Sequence, residues 1–237
     1  MPEHISKQFD AELEAARSRV LQMGGVVEEQ IVRALDALNS GDMQSIDTII
    51  QRDHQVNAME VELDEICSHI IARRQPAAGD LRMIMTVIKT ITDLERIGDE
   101  AAKIARMAKL IHAADRAHIP RVELRHIADK ALSMLRKSLD AFARLDTVAA
   151  AQVVREDEQV DDEFRLMIRS LITFMMEDPR TISHSLEILF CAKAIERIGD
   201  HAKNMAEYVI YMVKGKDVRH IGIEGVEREA FPSAANK

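Results

Sequence analysis

The hydrophobic positions of this chain recur in steps of three and four over long stretches. From Phe9 the stripe continues through Leu13, Ala16, Val20, Met23, Val27, Ile31, Leu35 and Leu38, which predicts a helix over about 6–39 with one face turned to neighbours. Gly24-Gly25 interrupts it and predicts a bend or a close helix contact, and Ser40-Gly41 ends it. A second stripe of Ile46, Ile49, Val56, Met59, Leu63, Ile66 and Ile70 predicts a helix over about 42–73, with Asp53 filling the gap in its seam. A short turn through Pro76 leads to a third helix, capped by Asp80 and running to about His112. It carries Leu81, Ile84, Ile88 and Ile91, and the next seam position is Glu95. Three more helices follow, over about 120–144, 147–176 and 179–214. The middle one has Val153, Val160, Phe164, Met167, Leu171 and Phe174 on its seam, with Asp157 in the gap. No period-two run of β-branched residues predicts a strand.

The second trio repeats the first. Leu94-Glu95-Arg96-Ile97-Gly98-Asp99 returns 101 residues later as Ile195-Glu196-Arg197-Ile198-Gly199-Asp200. Ala34-Leu35-Asp36-Ala37-Leu38 reads against Ser138-Leu139-Asp140-Ala141-Phe142, and Asp53-His54-Gln55-Val56-Asn57 against Asp157-Glu158-Gln159-Val160-Asp161, both at an offset of 104. Such self-similarity marks a duplicated unit. Short connections make successive helices antiparallel. The expected fold is therefore all-α: two tandem three-helix bundles, six long antiparallel helices related by an internal pseudo-two-fold duplication. The expected boundaries are 1–114 for the first bundle, 115–215 for the second, and 216–237 for a flexible polar tail.

Composition narrows the function classes. A net charge of −8 argues against a nucleic-acid binder. The N-terminal Met-Pro-Glu-His-Ile-Ser-Lys lacks a signal peptide's apolar core, and no run approaches the ~18 residues of a membrane span. Cys67 and Cys191 stand apart with no CxxC, so neither a disulfide framework nor a zinc framework is expected and a cytoplasmic setting fits. No nucleophile–base pair, phosphate loop or HExxH motif is visible, so an enzyme is not expected.

The acids carry the candidate chemistry. Glu95/Asp99 and Glu196/Asp200 are i,i+4 pairs on one helix face, where like charges repel. Folding the second helix back on the third about a turn near residue 76 brings Asp53 and Asn57 level with Asp99 and Glu95. The same construction brings Asp157 and Asp161 level with Glu196 and Asp200. Carboxylates in an apolar seam need a positive partner. A hard cation held by these oxygens is one answer. Ion pairs with Lys89, Lys103, Arg96 and Arg197 are another, and the residues alone leave both open. His201 beside Asp200 reads as a surface histidine. The small Gly98 and Gly199 would allow a close approach to the backbone.

At these residues the chain resembles the PhoU family, the phosphate-transport-system regulators. The resemblance runs through Ile71-Ala72-Arg73-Arg74-Gln75-Pro76, Asp80-Leu81-Arg82, Asp93 to Asp99 and Glu196 to Ala202. It implies a cytoplasmic negative regulator of phosphate uptake and of the phosphate-starvation response. Such a protein acts as an adaptor between a Pst-type phosphate ABC transporter ATPase and a PhoR-type sensor histidine kinase. A homodimer, peripheral to the membrane only through its partners, is expected. The family's acidic motif falls on Glu95/Asp99 and Glu196/Asp200, where the resemblance implies iron, zinc, magnesium or manganese. A metal–carboxylate helical-bundle enzyme is the alternative. Asn57 standing where the second half has Asp161 makes the two sites unequal.

Overall fold

The structure is a computed structural model that describes residues 7–113, 119–120 and 122–231. Its helices are α1 (Lys7–Ser40), α2 (Met43–Arg74), α3 (Ala78–Ala113), α4 (Arg125–Arg144), α5 (Thr147–Glu177), α6 (Ile182–Lys214) and α7 (Gly222–Ala230). A 3₁₀ turn, Pro179–Thr181, leads into α6. Among the described residues there is no strand.

The helices start and stop where local chemistry directs. Asp42 caps α2 by accepting from the Gln44 amide at 3.1 Å, and Asp146 caps α5 by accepting from Val148 and Ala149 at 3.0 Å. These caps are duplicates, 104 residues apart. Gln75 and Leu145 close α2 and α4 in the left-handed region, at φ 47° and 57°. Two expected starts move. Asp80 lies in the first turn of α3 rather than at its cap, and α4 begins at Arg125 rather than at Pro120. Residues 122–124 form an irregular lead-in whose Val122 and Leu124 pack against the core, so their apolar character does not signal helix.

The α1–α3 and α4–α6 trios each pack on themselves, and among the described residues α3 against α6 is the most extensive helix contact. One hydrophobic core therefore runs through both bundles. Val20, Met23, Val27 and Ile31 of α1 are buried as the stripe predicts. Beyond Ile31 the buried face shifts to Ala34 and Ala37, leaving Leu35 and Leu38 half-buried. Each fully buried Val, Leu or Ile contributes roughly 1.5–3 kcal/mol. Leu81 of α3 is exposed, unlike the rest of its expected stripe.

Gly24 resolves to a close helix contact. A Cβ there would lie 2.6 Å from Leu139 of α4, whereas at Gly25 nothing would come within 4 Å. The absence of a side chain at Gly24 thus allows α1 to lie against α4, with Glu28 and Arg136 paired at 2.6 Å beside the contact.

The polar stretch after α6, expected as a tail, carries α7 on the flank of α5. Val226 and Ala230 are buried, Thr147 Oγ1 donates to the Ala230 carbonyl at 2.7 Å, and Arg155 pairs with Glu227 at 2.6 Å. Its apolar signal is two positions one turn apart, too short to register as a periodic stripe. Residues 232–237, the end of that expected tail, lie outside the described residues.

Candidate functional site

The second bundle brings three carboxylates to one point. Oxygens of Asp161 on α5 and of Glu196 and Asp200 on α6 lie within 4.8 Å of one another. Antiparallel packing of α5 on α6 about the Asp178 turn sets this height, and the i,i+4 spacing of Glu196 and Asp200 aims both at α5. Glu196 is buried and the other two are half-buried. Burial, with Glu196 and Asp157 adding negative charge, pushes the Asp200 carboxyl up to about 6 against the opposing pull of Lys193.

Nearby cations already hold part of this charge. Lys193 Nζ donates to Glu196 and sits 5.4 Å from the Phe164 ring centroid. Arg165 reaches Asp161 at 3.5 Å. Asp157 is buried and taken by Lys203, whose Nζ donates to it at 2.6 Å. Asp157 therefore stands behind the trio as a paired charge rather than joining it.

The first bundle assembles the equivalent residues differently. Asp99 on α3 and Asp53 on α2 both lie near enough to Glu95 for their charges to act on it. Glu95 is raised above its usual range by burial first, then by Asp99 and Glu60, with Asp53 contributing and Arg96 opposing. Arg96 lies 3.6 Å from Glu95 and 3.8 Å from Asp99. Asp53 accepts from Gln30 Nε2 at 3.2 Å, and the same amide reaches the Gly98 carbonyl at 3.4 Å. A Cβ at Gly98 would lie 3.3 Å from Gln30 Oε1 and from Val56, so the close approach there is made by α1 and α2. Asn57 Oδ1 is buried without a hydrogen-bond partner.

The donor sets can be tested against a hard cation. Three carboxylates from two helices suit one, because each offers an oxygen to a shared point. Among the described residues, that condition is met by Asp161, Glu196 and Asp200. Glu95, Asp99, Asp53 and Asn57 form a looser set, with Gln30 where the second bundle has Met134 and Glu60 where it has Phe164. The competing ion-pair reading also finds support, in Arg96 beside Glu95 and Asp99, Lys193 on Glu196 and Lys203 on Asp157, and it extends to a further acid. Glu100, one residue beyond Asp99, is buried and bridges Lys103 at 3.4 Å to Arg197 at 2.5 Å across α3 and α6.

Sequence reasoning missed several of these residues. Gln30 lies beside the α1 stripe and could have been flagged as polar where its repeat partner is Met134. Lys203 has Ala102 as its counterpart, so the repeat gives no pointer to its pairing with Asp157. His201 is not a surface residue. Its Nδ1 lies 2.6 Å from the buried Asp93, which also accepts from Asn204 at 3.3 Å, so it belongs to the α3–α6 seam.

Comparison with known proteins agrees with this architecture. A family profile described as "PhoU domain" matches residues 20–108 and again 124–209, one match in each bundle. The phosphate-specific transport system accessory protein PhoU homolog of Pseudomonas aeruginosa is 50% identical over 95% of this chain and 93% of its own length. The crystal structure of PhoU from Pseudomonas aeruginosa superposes with a TM-score of 0.84 at 48% identity, covering 88% of this chain and all of that one. The phosphate transport system regulatory protein PhoU from Streptococcus pneumoniae gives a TM-score of 0.82 at 29% identity, over 89% of this chain and 99% of that one. With both bundles matched and near-full-length relatives at about half identity, the chain belongs to the PhoU family.

Proposed function

We propose that this chain is an accessory protein of a phosphate-specific transport system that restrains phosphate uptake and the phosphate-starvation response. One observation carries the reading: similarity over almost the whole length to proteins named as accessory and regulatory components of phosphate transport. Those names speak of accessory and regulatory proteins, which supports reading this chain as an adaptor. The partners proposed are a Pst-type transporter ATPase and a PhoR-type sensor kinase, met as a homodimer on the cytoplasmic side. Among the described residues no helix is long and apolar enough to cross a membrane, which agrees with docking through partners. Regulation would work by differential binding: contact with one state of the kinase or transporter shifts its population toward that state.

The acid clusters complete the reading. Asp161, Glu196 and Asp200 would hold a hard cation such as magnesium, manganese, iron or zinc, with Glu95, Asp99, Asp53 and Asn57 as the weaker counterpart. A bound cation would supply positive charge to the carboxylate oxygens that Lys193 and Arg165 neutralise only in part. The protein's own groups orient the ligands: Lys203 neutralises Asp157 behind the trio and Lys193 steadies Glu196.

The test is genetic. Deleting the gene should switch on phosphate-starvation genes in phosphate-rich medium, and the wild-type chain should restore repression. Unchanged expression on deletion would reject the regulatory reading.

A further inference from the structure

A cavity of about 380 Å³ opens where the two bundles meet, lined by residues that belong to neither acid cluster. Met83 of α3, Leu145 from the α4–α5 turn, and Met212 and Val213 near the end of α6 supply apolar walls. Arg17 of α1 and Arg82 of α3 line it too.

The two arginines are held in place yet incompletely used. Arg17 donates from Nη1 to Glu14 at 3.0 Å and from Nη2 to the Ala143 carbonyl at 2.8 Å, while its Nε is buried without an acceptor. Among the described residues Arg82 has no ion-pair partner, and its Nε is likewise buried without an acceptor. Its guanidinium lies against Gly215, where a Cβ would fall 3.6 Å from Cζ. Asp80, at the same cavity, has a partner of its own. Buried N–H groups without acceptors are rare and costly, and a guanidinium edge matches an oxyanion with two parallel hydrogen bonds. The apolar walls would not solvate a bare ion, and the volume exceeds what one needs.

We propose that this cavity binds a small organic oxyanion, a carboxylate or phosphate monoester with a short apolar arm. Arg82 and Arg17 take the oxyanion, and Met83, Leu145, Met212 and Val213 take the arm. The site does not depend on the regulatory reading above or on either acid cluster.

The experiment is methionine-methyl NMR on the full chain, titrated with n-butyl phosphate, with 1-butanol and inorganic phosphate as the arm-only and anion-only probes. Saturable shifts of the Met83 and Met212 methyls are expected, with Met23 and Met134 unmoved. Inorganic phosphate and 1-butanol should each bind at least about tenfold more weakly, and Arg82→Gln or Arg17→Gln should weaken n-butyl phosphate by a similar factor. No saturable shift at Met83 and Met212 would overturn the proposal. Equal binding of either partial probe, or full binding by both variants, would do the same. If a variant fails to fold, the comparison of the three probes on the wild-type chain still decides.

Discussion

Replacing Asp200 by Asn should make the cation-free protein more stable at neutral pH. In the fold the Asp200 carboxyl is raised to about 6 from an ordinary 3.8, because it is partly buried beside Glu196 with Asp157 near. The folded state then holds its proton more tightly than the unfolded chain. Stability is lost as pH rises through the window between about 4 and about 6, and the penalty is absent below it. A shift of ~2 pH units corresponds to ~3 kcal/mol. Asp200 is half-buried, and solvent screening reduces this to ~1–2 kcal/mol. Asn keeps the shape and removes the charge. Urea unfolding in a chelator at about pH 7 should show the variant ahead by that margin, and the gap should close near pH 4. With manganese added the order should reverse, because ligand bound only to the folded state stabilises the wild type. A variant less stable than wild type in chelator at neutral pH would refute the reasoning, since it would mean that Asp200 is already neutralised by the protein.

Further outcomes follow from the same geometry. Lys203→Met strands the buried Asp157 carboxylate and should cost ~3–5 kcal/mol in thermal unfolding, with Asp157→Asn recovering part of the loss; a cost under ~1 kcal/mol would mean that Asp157 finds another partner. Gly24→Val drives a side chain into Leu139 and should cost ~1–3 kcal/mol, with a non-additive response when combined with Leu139→Ala; additive costs would place α1 and α4 farther apart. Cys191 is pushed up to about 12 and Cys67 to about 11, both by burial first. Neither thiol should react with a maleimide dye near pH 8 until the chain unfolds, and rapid labelling of the native protein would show the core to be more open than described.

The fold was largely legible because helical seams and duplicated caps are local signals. The stripe of α1, the aspartates at 42 and 146, and the repeated Glu-Arg-Ile-Gly-Asp string each need only a few neighbouring residues to read. The height at which Asp161 meets Glu196 and Asp200 was also within reach, because two antiparallel helices of equal rise fix it from the turn. What sequence could not supply was the pairing across the molecule. Asp157 looked equivalent to Asp53, yet Lys203 one turn beyond Gly199 takes it, while Gln30 takes Asp53. His201 looked exposed beside Asp200, but the contact of α3 with α6 turns it onto Asp93. The docking of α7 on α5 rests on Val226, Ala230, a backbone carbonyl and the Arg155–Glu227 pair, which carry no periodic signature.

The central claim is that carboxylates from α5 and α6 converge to receive a cation. Anomalous diffraction from crystals soaked in manganese tests it most directly. The account expects the strongest peak between Asp161, Glu196 and Asp200, with a weaker one or none beside Glu95 and Asp99. A map with no peak in reach of those three side chains, at full soaking and neutral pH, would contradict it.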